Sequence, residues 1–161
     1  MEARLIYDTG SDWLVVEGAD CKKCSGQLYD PQASSFFEQV DSRTESKTYG
    51  SFMSVKGLTV KDQVCLIKKD VCVDPMYFFL VSDQTGIPDD ADGIFGLAQG
   101  EFPRGFNMPK YYNVGELYLT YLRFLGHIRE KSFSTHFTGE NGYSWVDFGP
   151  QDESAMSSIS V

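Results

Sequence analysis

The residues best suited to chemistry lie near the start of the chain, in the stretch Leu5–Val16, LIYDTGSDWLVV. There Asp8, Thr9 and Gly10 place a carboxylate, a hydroxyl and a glycine between two apolar runs that are each typical of a buried strand. A tight loop of this kind, held by rigid strands, can present Asp8 at the floor of a cleft for acid–base chemistry. The alternative is turn chemistry alone, because aspartate and glycine are common wherever strands reverse.

Two later stretches combine apolar strands with residues that could complete a cleft. Tyr49-Gly50 lies in TESKTYGSFMSVKGLTV, two β-prone runs that could fold over as a hairpin, and a tyrosine near the tip could close the cleft and exclude water. An ordinary strand tyrosine is the simpler interpretation when this residue is taken by itself. The run Ala91–Ala98, ADGIFGLA, has glycines at Gly93 and Gly96, where a close approach of another backbone is permitted.

The composition is that of a folded, acidic protein. Of the 161 residues, 42% are hydrophobic and 14% aromatic, which is enough for one domain with a substantial core. There are 14 basic and 23 acidic residues, a formal charge of −9, which disfavours nucleic acid as a partner. No apolar run approaches the roughly 18 residues needed to span a bilayer, and the first residues form no signal-peptide pattern. We therefore expect no nucleic-acid partner and no membrane span.

The four cysteines form two local pairs. Cys21 lies close to Cys24, and Cys65 lies close to Cys72, which favours two short-range disulfides in an oxidising compartment. The spacing of the first pair also fits a zinc site, and free thiols are a further alternative. Disulfides are the favoured prediction for both pairs.

Strand-like segments dominate the chain, which predicts a mostly-β fold. The predicted strands are Ala3–Tyr7, Trp13–Val16, Lys47–Val55, Leu58–Ile67, Met76–Val81, Phe133–Phe137 and Tyr143–Phe148. Glu140-Asn141-Gly142 predicts a tight hairpin between the last two, since Asn-Gly favours the positive φ angles of such turns.

Two segments differ from this strand pattern. Tyr29–Phe36 is predicted to be a loop or short turn that its two aromatic residues anchor. Val114–Leu125, VGELYLTYLRFL, has apolar residues at helical spacing and predicts a helix packed on the core. The predicted buried face of that helix carries Val114, Leu117, Tyr121, Leu122 and Leu125.

Taken in order, these features resemble the amino-terminal lobe of the pepsin-like aspartic proteases. The order is Asp-Thr-Gly-Ser at Asp8–Ser11, a small cysteine loop, Tyr49-Gly50 in a hairpin, Ile94-Phe95-Gly96, then a helix and a hairpin that ends DFGPQD. The resemblance covers nearly the whole chain. It implies a single lobe of the pepsin-like acid protease fold, mostly β and barrel-like with one or two short helices. It also implies that residues 1–161 are an amino-terminal lobe truncated at both ends.

The resemblance implies a role for each residue of the first loop. Asp8 corresponds to the catalytic aspartate, and Thr9 to the residue whose hydroxyl buttresses the paired loops of the two lobes. Gly10 corresponds to a position of close approach. Ser11 corresponds to the serine that hydrogen-bonds near the catalytic carboxylate.

The resemblance also implies substrate contacts. Tyr49 corresponds to the flap tyrosine, with Gly50 and Ser51 at the flap tip, and Ile94 to an apolar wall of the main substrate pocket. In such proteases two aspartates share a proton, activate a water molecule and protonate the departing amine. No metal or organic cofactor is implied.

Two positions depart from the family pattern. Val15 stands where the family often has a tryptophan that bonds to the flap tyrosine. Trp13, two residues earlier on the same face of the strand, is a possible substitute. Phe52 stands near a flap glycine of many relatives, so we expect a stiffer and more apolar flap.

The largest departure is the lack of a second catalytic motif. No further Asp-Thr-Gly or Asp-Ser-Gly occurs in the 161 residues, and one carboxylate cannot perform a two-acid mechanism. In the leading interpretation, a second lobe or partner chain completes an endopeptidase that acts at acidic pH on peptides or proteins, in a secreted, vacuolar or lysosomal location. The second interpretation is a catalytically inactive binding or structural module. The third is a self-pairing homodimeric protease.

The two histidines, His127 and His136, do not accompany a serine or cysteine nucleophile pattern. We therefore expect them to have surface or structural roles.

Overall fold

A computed structural model of the chain describes residues 1–66, 71–98, 118–138 and 145–150. The chain forms two compact units, Met1–Tyr118 and Leu119–Val161. Most residues of regular structure lie in strands, so the mostly-β fold class predicted from the sequence is confirmed.

The first unit is built of seven strands and one short 3₁₀ helix within the described ranges. In chain order the strands are β1 Leu5–Asp8, β2 Leu14–Lys22, β3 Glu38–Gln39, β4 Glu45–Tyr49, β5 Met53–Leu66, β6 Val71–Thr85 and β7 Gly93–Gly96. The 3₁₀ helix is Pro31–Ala33, and the side chain of Asp30 caps it by accepting from the main-chain N–H of Gln32.

The seven strands form one mixed sheet whose order differs from the order along the chain. The sheet runs β1-β7-β2-β6-β5-β3, and β4 pairs with β5. Strand β7 is parallel to β1, with Gly96 opposite Asp8, and antiparallel to β2, with Ile94 opposite Val15. Because β7 lies between β1 and β2, the loop that joins these two strands must cross the end of β7. That loop begins directly after Asp8.

Strands β5 and β6 form a long antiparallel pair. Their register shifts between Asp62, which faces Met76, and Val64, which faces Val73. The extra residue on β6 forms a bulge that accommodates Pro75, which has no N–H to donate to the ladder. The predicted strand start at Met76 was therefore too late, since β6 begins at Val71.

The core of the first unit joins side chains from β2, β5, β6, β7 and the segment before β7. The buried cluster consists of Trp13, Val15, Val55, Phe79, Val81, Ile87, Ala91 and Ile94. Tyr49 and Met53, which flank the β4–β5 turn, are partly buried against this cluster. The core therefore supports both the β1–β2 loop and the β4–β5 hairpin.

Both predicted disulfides are present. Cys21 is bonded to Cys24, and Cys65 is bonded to Cys72, its direct partner in the β5–β6 register. Because the sulfur atoms are bonded to each other, neither pair can ligate zinc in this structure.

The loop after β2 is anchored differently from the prediction. Tyr29 packs edge-on against Phe78, with ring centroids 5.7 Å apart, and its hydroxyl donates to buried Asp62. Phe36, the other predicted anchor, is 53% exposed. Its neighbour Phe37 contacts the ring of Tyr29 instead.

The second unit contains the hairpin of β8, Phe133–His136, and β9, Trp145–Phe148. His136 stacks on Trp145 with ring centroids 4.0 Å apart, an aromatic contact that agrees with the structural role expected for it. The turn predicted at 140–142 lies outside the described residues.

Helix α1 spans Tyr118–Phe124, within the predicted helix. Leu122 is buried as predicted, but Leu125 is 45% exposed because the helix ends before it. Val114 and Leu117 lie outside the described residues. No helix in the described ranges is long and apolar enough to cross a membrane.

Candidate active site

The carboxylate of Asp8 is held by the loop that follows it. The main-chain N–H of Gly10 donates to Asp8 Oδ1 at 2.9 Å, a local bond typical of aspartate in tight turns. The main-chain N–H groups of Leu97 and Ala98 donate to the carbonyl oxygens of Asp8 and Ser11 at 2.7 and 2.8 Å. The loop is therefore fixed at both ends, while the side chain of Asp8 remains partly exposed.

The close packing behind this loop depends on Gly96. A Cβ atom at Gly96 would lie 2.5 Å from the main-chain nitrogen of Trp13 and 2.6 Å from the carbonyl oxygen of Ser11. The main-chain N–H of Gly96 also donates to the carbonyl oxygen of Trp13 at 2.9 Å. A side chain at this position would push the loop away from β7 and move Asp8.

The side chains of the two hydroxyl residues in the loop differ in their surroundings. Thr9 is exposed. Ser11 Oγ is buried, and no partner for it lies among the residues that the structure describes. The main-chain carbonyl of Ser11 accepts from Ala98, and the hydrogen bond near the carboxylate that the resemblance implied for the Ser11 side chain stays a prediction. The roles of Thr9 and Gly10 in catalysis stay predictions.

A cleft of about 440 Å³ opens above Asp8. One wall is the β1–β2 loop and the other is the β4–β5 hairpin. The lining residues are Asp8, Gly10, Ser11, Asp12, Trp13, Lys47, Thr48, Tyr49 and Gly50. Asp8 and Tyr49, which lie far apart in the sequence, therefore share one cleft.

The hairpin that carries Tyr49 turns tightly at 50–52. Tyr49 ends β4 and pairs with Met53 at the start of β5. Gly50 has a φ of 56°, a left-handed conformation that favours glycine. The predicted hairpin is thus confirmed, although the single strand predicted for Lys47–Val55 is interrupted by this turn. Phe52, which follows exposed Ser51, is 90% exposed at the turn.

The surroundings of the Tyr49 phenol favour its neutral, protonated form. Burial raises the pKa of Tyr49 to about 12, and the negative charges of Asp8 and Asp12 add to the shift. The hydroxyl therefore keeps its proton in acidic and neutral solution. It can serve as a hydrogen-bond donor to a ligand in the cleft but not as an acid.

Comparison with known proteins identifies the family of the chain. The family model described as eukaryotic aspartyl protease matches residues 2–159. The chain belongs to the eukaryotic aspartyl protease family. Rhizopuspepsin of Rhizopus chinensis is 41% identical over 64 residues, which make up 38% of this chain and 16% of the length of that relative.

In this aspartyl protease chain, Ile94 lies deeper than the resemblance implied. It is 2% exposed and belongs to the buried cluster, because β7 lies between β1 and β2 and its side chains are covered. The structure thus places Ile94 in the core rather than on the surface of the described cleft, and a contact with substrate stays a prediction.

Sequence reasoning missed Lys47, which lines the cleft of the aspartyl protease chain. Its Nζ lies 3.9 Å from the centroid of the Trp13 ring, in the position of a cation over an aromatic face. Trp13 packs edge-on against Phe79, and no hydrogen bond joins Trp13 to Tyr49 among the described residues. The alternation of side chains along a strand could have identified Lys47 as a cleft residue, because Lys47 and Tyr49 are two residues apart and so share one face of β4.

An ion pair between exposed Arg4 and buried Asp92 joins the segments that precede β1 and β7. Asp92 is fully buried before β7 and accepts from the main-chain N–H groups of Arg4 and Gln27, both at 2.6 Å. Arg4 Nη2 lies 3.2 Å from Asp92 Oδ1. Burial by itself raises the pKa of Asp92, but these bonds and the charge of Arg4 lower it overall. Since Arg4 precedes β1, the pair helps to set the register of Asp8 against Gly96.

Glu17 on β2 is another buried carboxyl of the first unit. It is 1% exposed and accepts from the main-chain N–H of Gly26 at 3.3 Å. Burial raises the pKa of Glu17, and the charges of Asp92 and Asp89 act in the same direction against the effect of Gly26. The protonated form of Glu17 is therefore favoured over the ionised form up to a higher pH than in an exposed glutamate.

The described ranges contain no cluster of three or more histidine, cysteine, aspartate or glutamate residues able to hold a metal ion. The groups of the cleft that could do chemistry are the carboxylates of Asp8 and Asp12, the neutral phenol of Tyr49 and the ammonium group of Lys47.

Proposed function

We propose that this chain is an aspartic endopeptidase lobe that supplies Asp8 as one of two catalytic aspartates for hydrolysis of peptide bonds by water at acidic pH. The observation that supports this most directly is that Asp8, beside the β1–β2 loop, and Tyr49, on the β4–β5 hairpin, line the same cleft. Membership of the aspartyl protease family supports the general class of reaction. The second aspartate comes from a second lobe or partner chain, since no second Asp-Thr-Gly or Asp-Ser-Gly occurs in the 161 residues.

In the proposed reaction the two aspartates share one proton. The ionised carboxylate takes a proton from water as the water oxygen bonds to the carbonyl carbon, and the protonated carboxyl gives its proton to the carbonyl oxygen. The carbon–nitrogen bond then breaks as a proton passes to the departing amine. The bonds that Gly10 and Leu97 make to Asp8 hold the carboxylate in place, so little reorganisation accompanies the reaction.

The proposed substrate is a peptide or protein segment with bulky apolar residues at the cleaved bond. The aromatic side chains of Trp13 and Tyr49 in the cleft support this choice. The two disulfides support an oxidising compartment, and we propose a secreted location or an acidic vacuolar or lysosomal one.

Two alternatives remain as outcomes of the test. A catalytically inactive module that binds peptides is favoured by the single Asp-Thr-Gly loop and by Ser11 Oγ, which is buried without a partner in the described part of the chain. A self-pairing homodimer would supply two copies of Asp8.

The test is hydrolysis of an internally quenched peptide with a Phe-Phe core at about pH 3 to 5, where carboxyl groups titrate. The chain is assayed alone over a range of concentrations, and again with the separately produced carboxy-terminal lobe of a related protease. We expect cleavage only with the second lobe, loss of cleavage in Asp8→Asn and inhibition by a statine-type compound. Asp20→Asn, which removes an exposed carboxylate from β2, is the matched control.

The other outcomes separate the alternatives. Cleavage by the chain alone that rises steeply with concentration, together with a dimeric mass in solution, supports the homodimer. Binding of the statine-type inhibitor without cleavage under either condition supports the inactive module. Cleavage that survives Asp8→Asn contradicts the proposed function.

A further inference from the structure

The ammonium group of Lys47 is directed towards the interior side of the cleft. Its Nζ lies 3.9 Å from the ring centroid of Trp13 and 4.9 Å from that of Phe79. Trp13 is 8% exposed and Phe79 is fully buried. The ammonium group of Lys47 thus lies against the edge of the core. The charged group of an ordinary lysine on a strand extends into solvent instead.

This charge has no ion-pair partner within the described residues. The ion pairs found there join Arg4 to Asp92, Lys23 to Asp83, Arg43 to Asp41 and Lys61 to Glu38. Burial lowers the pKa of Lys47, and the carboxylates of Glu45 and Asp12 offset this only in part. The aromatic face of Trp13 compensates for part of the lost hydration.

A partly dehydrated cation that lacks a carboxylate partner is a recognition element for an anion. A carboxylate that enters the cleft gains a charge-assisted hydrogen bond, and it restores to Lys47 the electrostatic partner that burial removed. Lysine presents a compact charge on a flexible stem, so it can meet a side-chain carboxylate without a fixed bidentate geometry.

We propose that Lys47 makes the cleft selective for peptides that carry a glutamate or aspartate side chain at the position facing β4. This inference rests on the proposed function, because the peptide is the substrate of the proposed protease. Lys47 and Asp8 line the same cleft, so a peptide held over the carboxylate passes the ammonium group. Asp12 also lines the cleft and weakens the attraction, and its removal should strengthen the selectivity.

The chain offers a direct readout that needs no catalysis. It has two tryptophans, Trp13 under Lys47 and Trp145 on β9, so the indole N–H signals in a ¹⁵N spectrum report one site each. The ¹⁵N-labelled full chain is titrated at about pH 6, where a peptide glutamate is ionised. The ligands are peptides with a Phe-Phe core in which one glutamate is moved through the flanking positions. Each is matched by the same peptide with glutamine.

We expect one position at which the glutamate peptide binds about fivefold to tenfold more tightly than its glutamine match, with a shift of the Trp13 signal and an unchanged Trp145 signal. Lys47→Met, which keeps the length and apolar character of the stem, should abolish the difference. Lys47→Arg should retain it, and Asp12→Asn should increase it. Lys47→Glu should reverse the preference towards lysine-containing peptides.

Three results of the binding experiment would overturn the proposal. One is equal binding of every glutamate and glutamine pair, another is no binding of any peptide, and the third is a preference that persists in Lys47→Met. A well-dispersed spectrum of each variant shows that it is folded. Cleavage by the completed enzyme without a charge preference would refute selectivity while the proposed function stands. A glutamate preference with no cleavage would refute the proposed function alone.

Discussion

The main-chain N–H of Leu97 donates a hydrogen bond of 2.7 Å to the carbonyl oxygen of Asp8. This bond extends the parallel pairing of β1 and β7 by one residue beyond Gly96, and it holds the last residue of β1, directly before the cleft loop, against β7. The position of the candidate catalytic carboxylate is therefore set by the end of β7.

Replacement of Gly96 by alanine should destabilise the protein. The new Cβ would collide with the main chain at Trp13 and Ser11, and overpacking of this kind costs about 1 to 3 kcal/mol in the free energy of unfolding. Urea denaturation measures the loss. Gly50→Ala is a comparison for backbone strain alone, because it introduces a side chain at a left-handed position with open space around it. A loss of less than about 0.5 kcal/mol in Gly96→Ala would show that the close contact is unimportant.

Replacement of Asp92 by asparagine should also destabilise the protein, by about 2 to 3 kcal/mol at neutral pH. The main-chain N–H of Arg4 donates to Oδ2 and that of Gln27 donates to Oδ1, so the amide nitrogen that replaces either oxygen would face a donor instead of accepting from it. Exposed Asp90, changed to asparagine, is the matched control.

The effect of Asp92→Asn should depend on pH. Because the pKa of Asp92 is lowered in the folded protein, its stabilising contribution is complete above the unfolded value of about 3.9 and is lost as the pH falls through the folded value. Denaturation curves at neutral pH and near pH 3 measure the difference. A loss of stability that is the same at both pH values would contradict this prediction.

Replacement of Glu17 by glutamine should stabilise the protein at neutral pH. The pKa of Glu17 is raised by burial, so its favourable contribution is present below the unfolded value of about 4.3 and is lost as the pH rises through the folded value. The variant should therefore gain stability over the natural chain at pH 7 and match it near pH 3. Thermal unfolding at the two pH values is the measurement, with Glu2→Gln as an exposed control. A lower stability at pH 7 would show that the ionised carboxylate is the preferred form.

Replacement of Phe52 by serine should weaken peptide binding without changing the stability of the fold. Phe52 is 90% exposed at the turn after Tyr49, so the free energy of unfolding should change by less than about 0.5 kcal/mol. Because an exposed phenylalanine at the tip of the hairpin that borders the cleft can contact a bound peptide, its loss should weaken peptide binding by about fivefold. Binding is followed by the indole signal of Trp13. Phe36→Ser, another exposed phenylalanine in the same unit, should leave binding unchanged, and equal weakening in both variants would argue against a role for the turn.

Much of the architecture could be predicted because it is encoded over short distances in the chain. The bond from Gly10 to Asp8 spans two residues, and the disulfides join cysteines that are three and seven residues apart. The β4–β5 turn follows from Tyr49 and Gly50, where the strand pattern meets a glycine. The exposure of Leu125 and Phe36 could not be predicted in this way. Both are hydrophobic residues, which favours burial, but whether each side chain is buried depends on where the neighbouring helix or loop ends.

The sequence by itself determined the strand-rich class, the local turn at Asp8 and the family motifs, since each depends on residue types at short, fixed spacings. Only the tertiary structure decided that β7 lies between β1 and β2, that Arg4 pairs with Asp92 and that Lys47 covers Trp13. These contacts join residues far apart in the chain. They depend on which strands are neighbours in the sheet and on which side chains are buried together in the core, away from water.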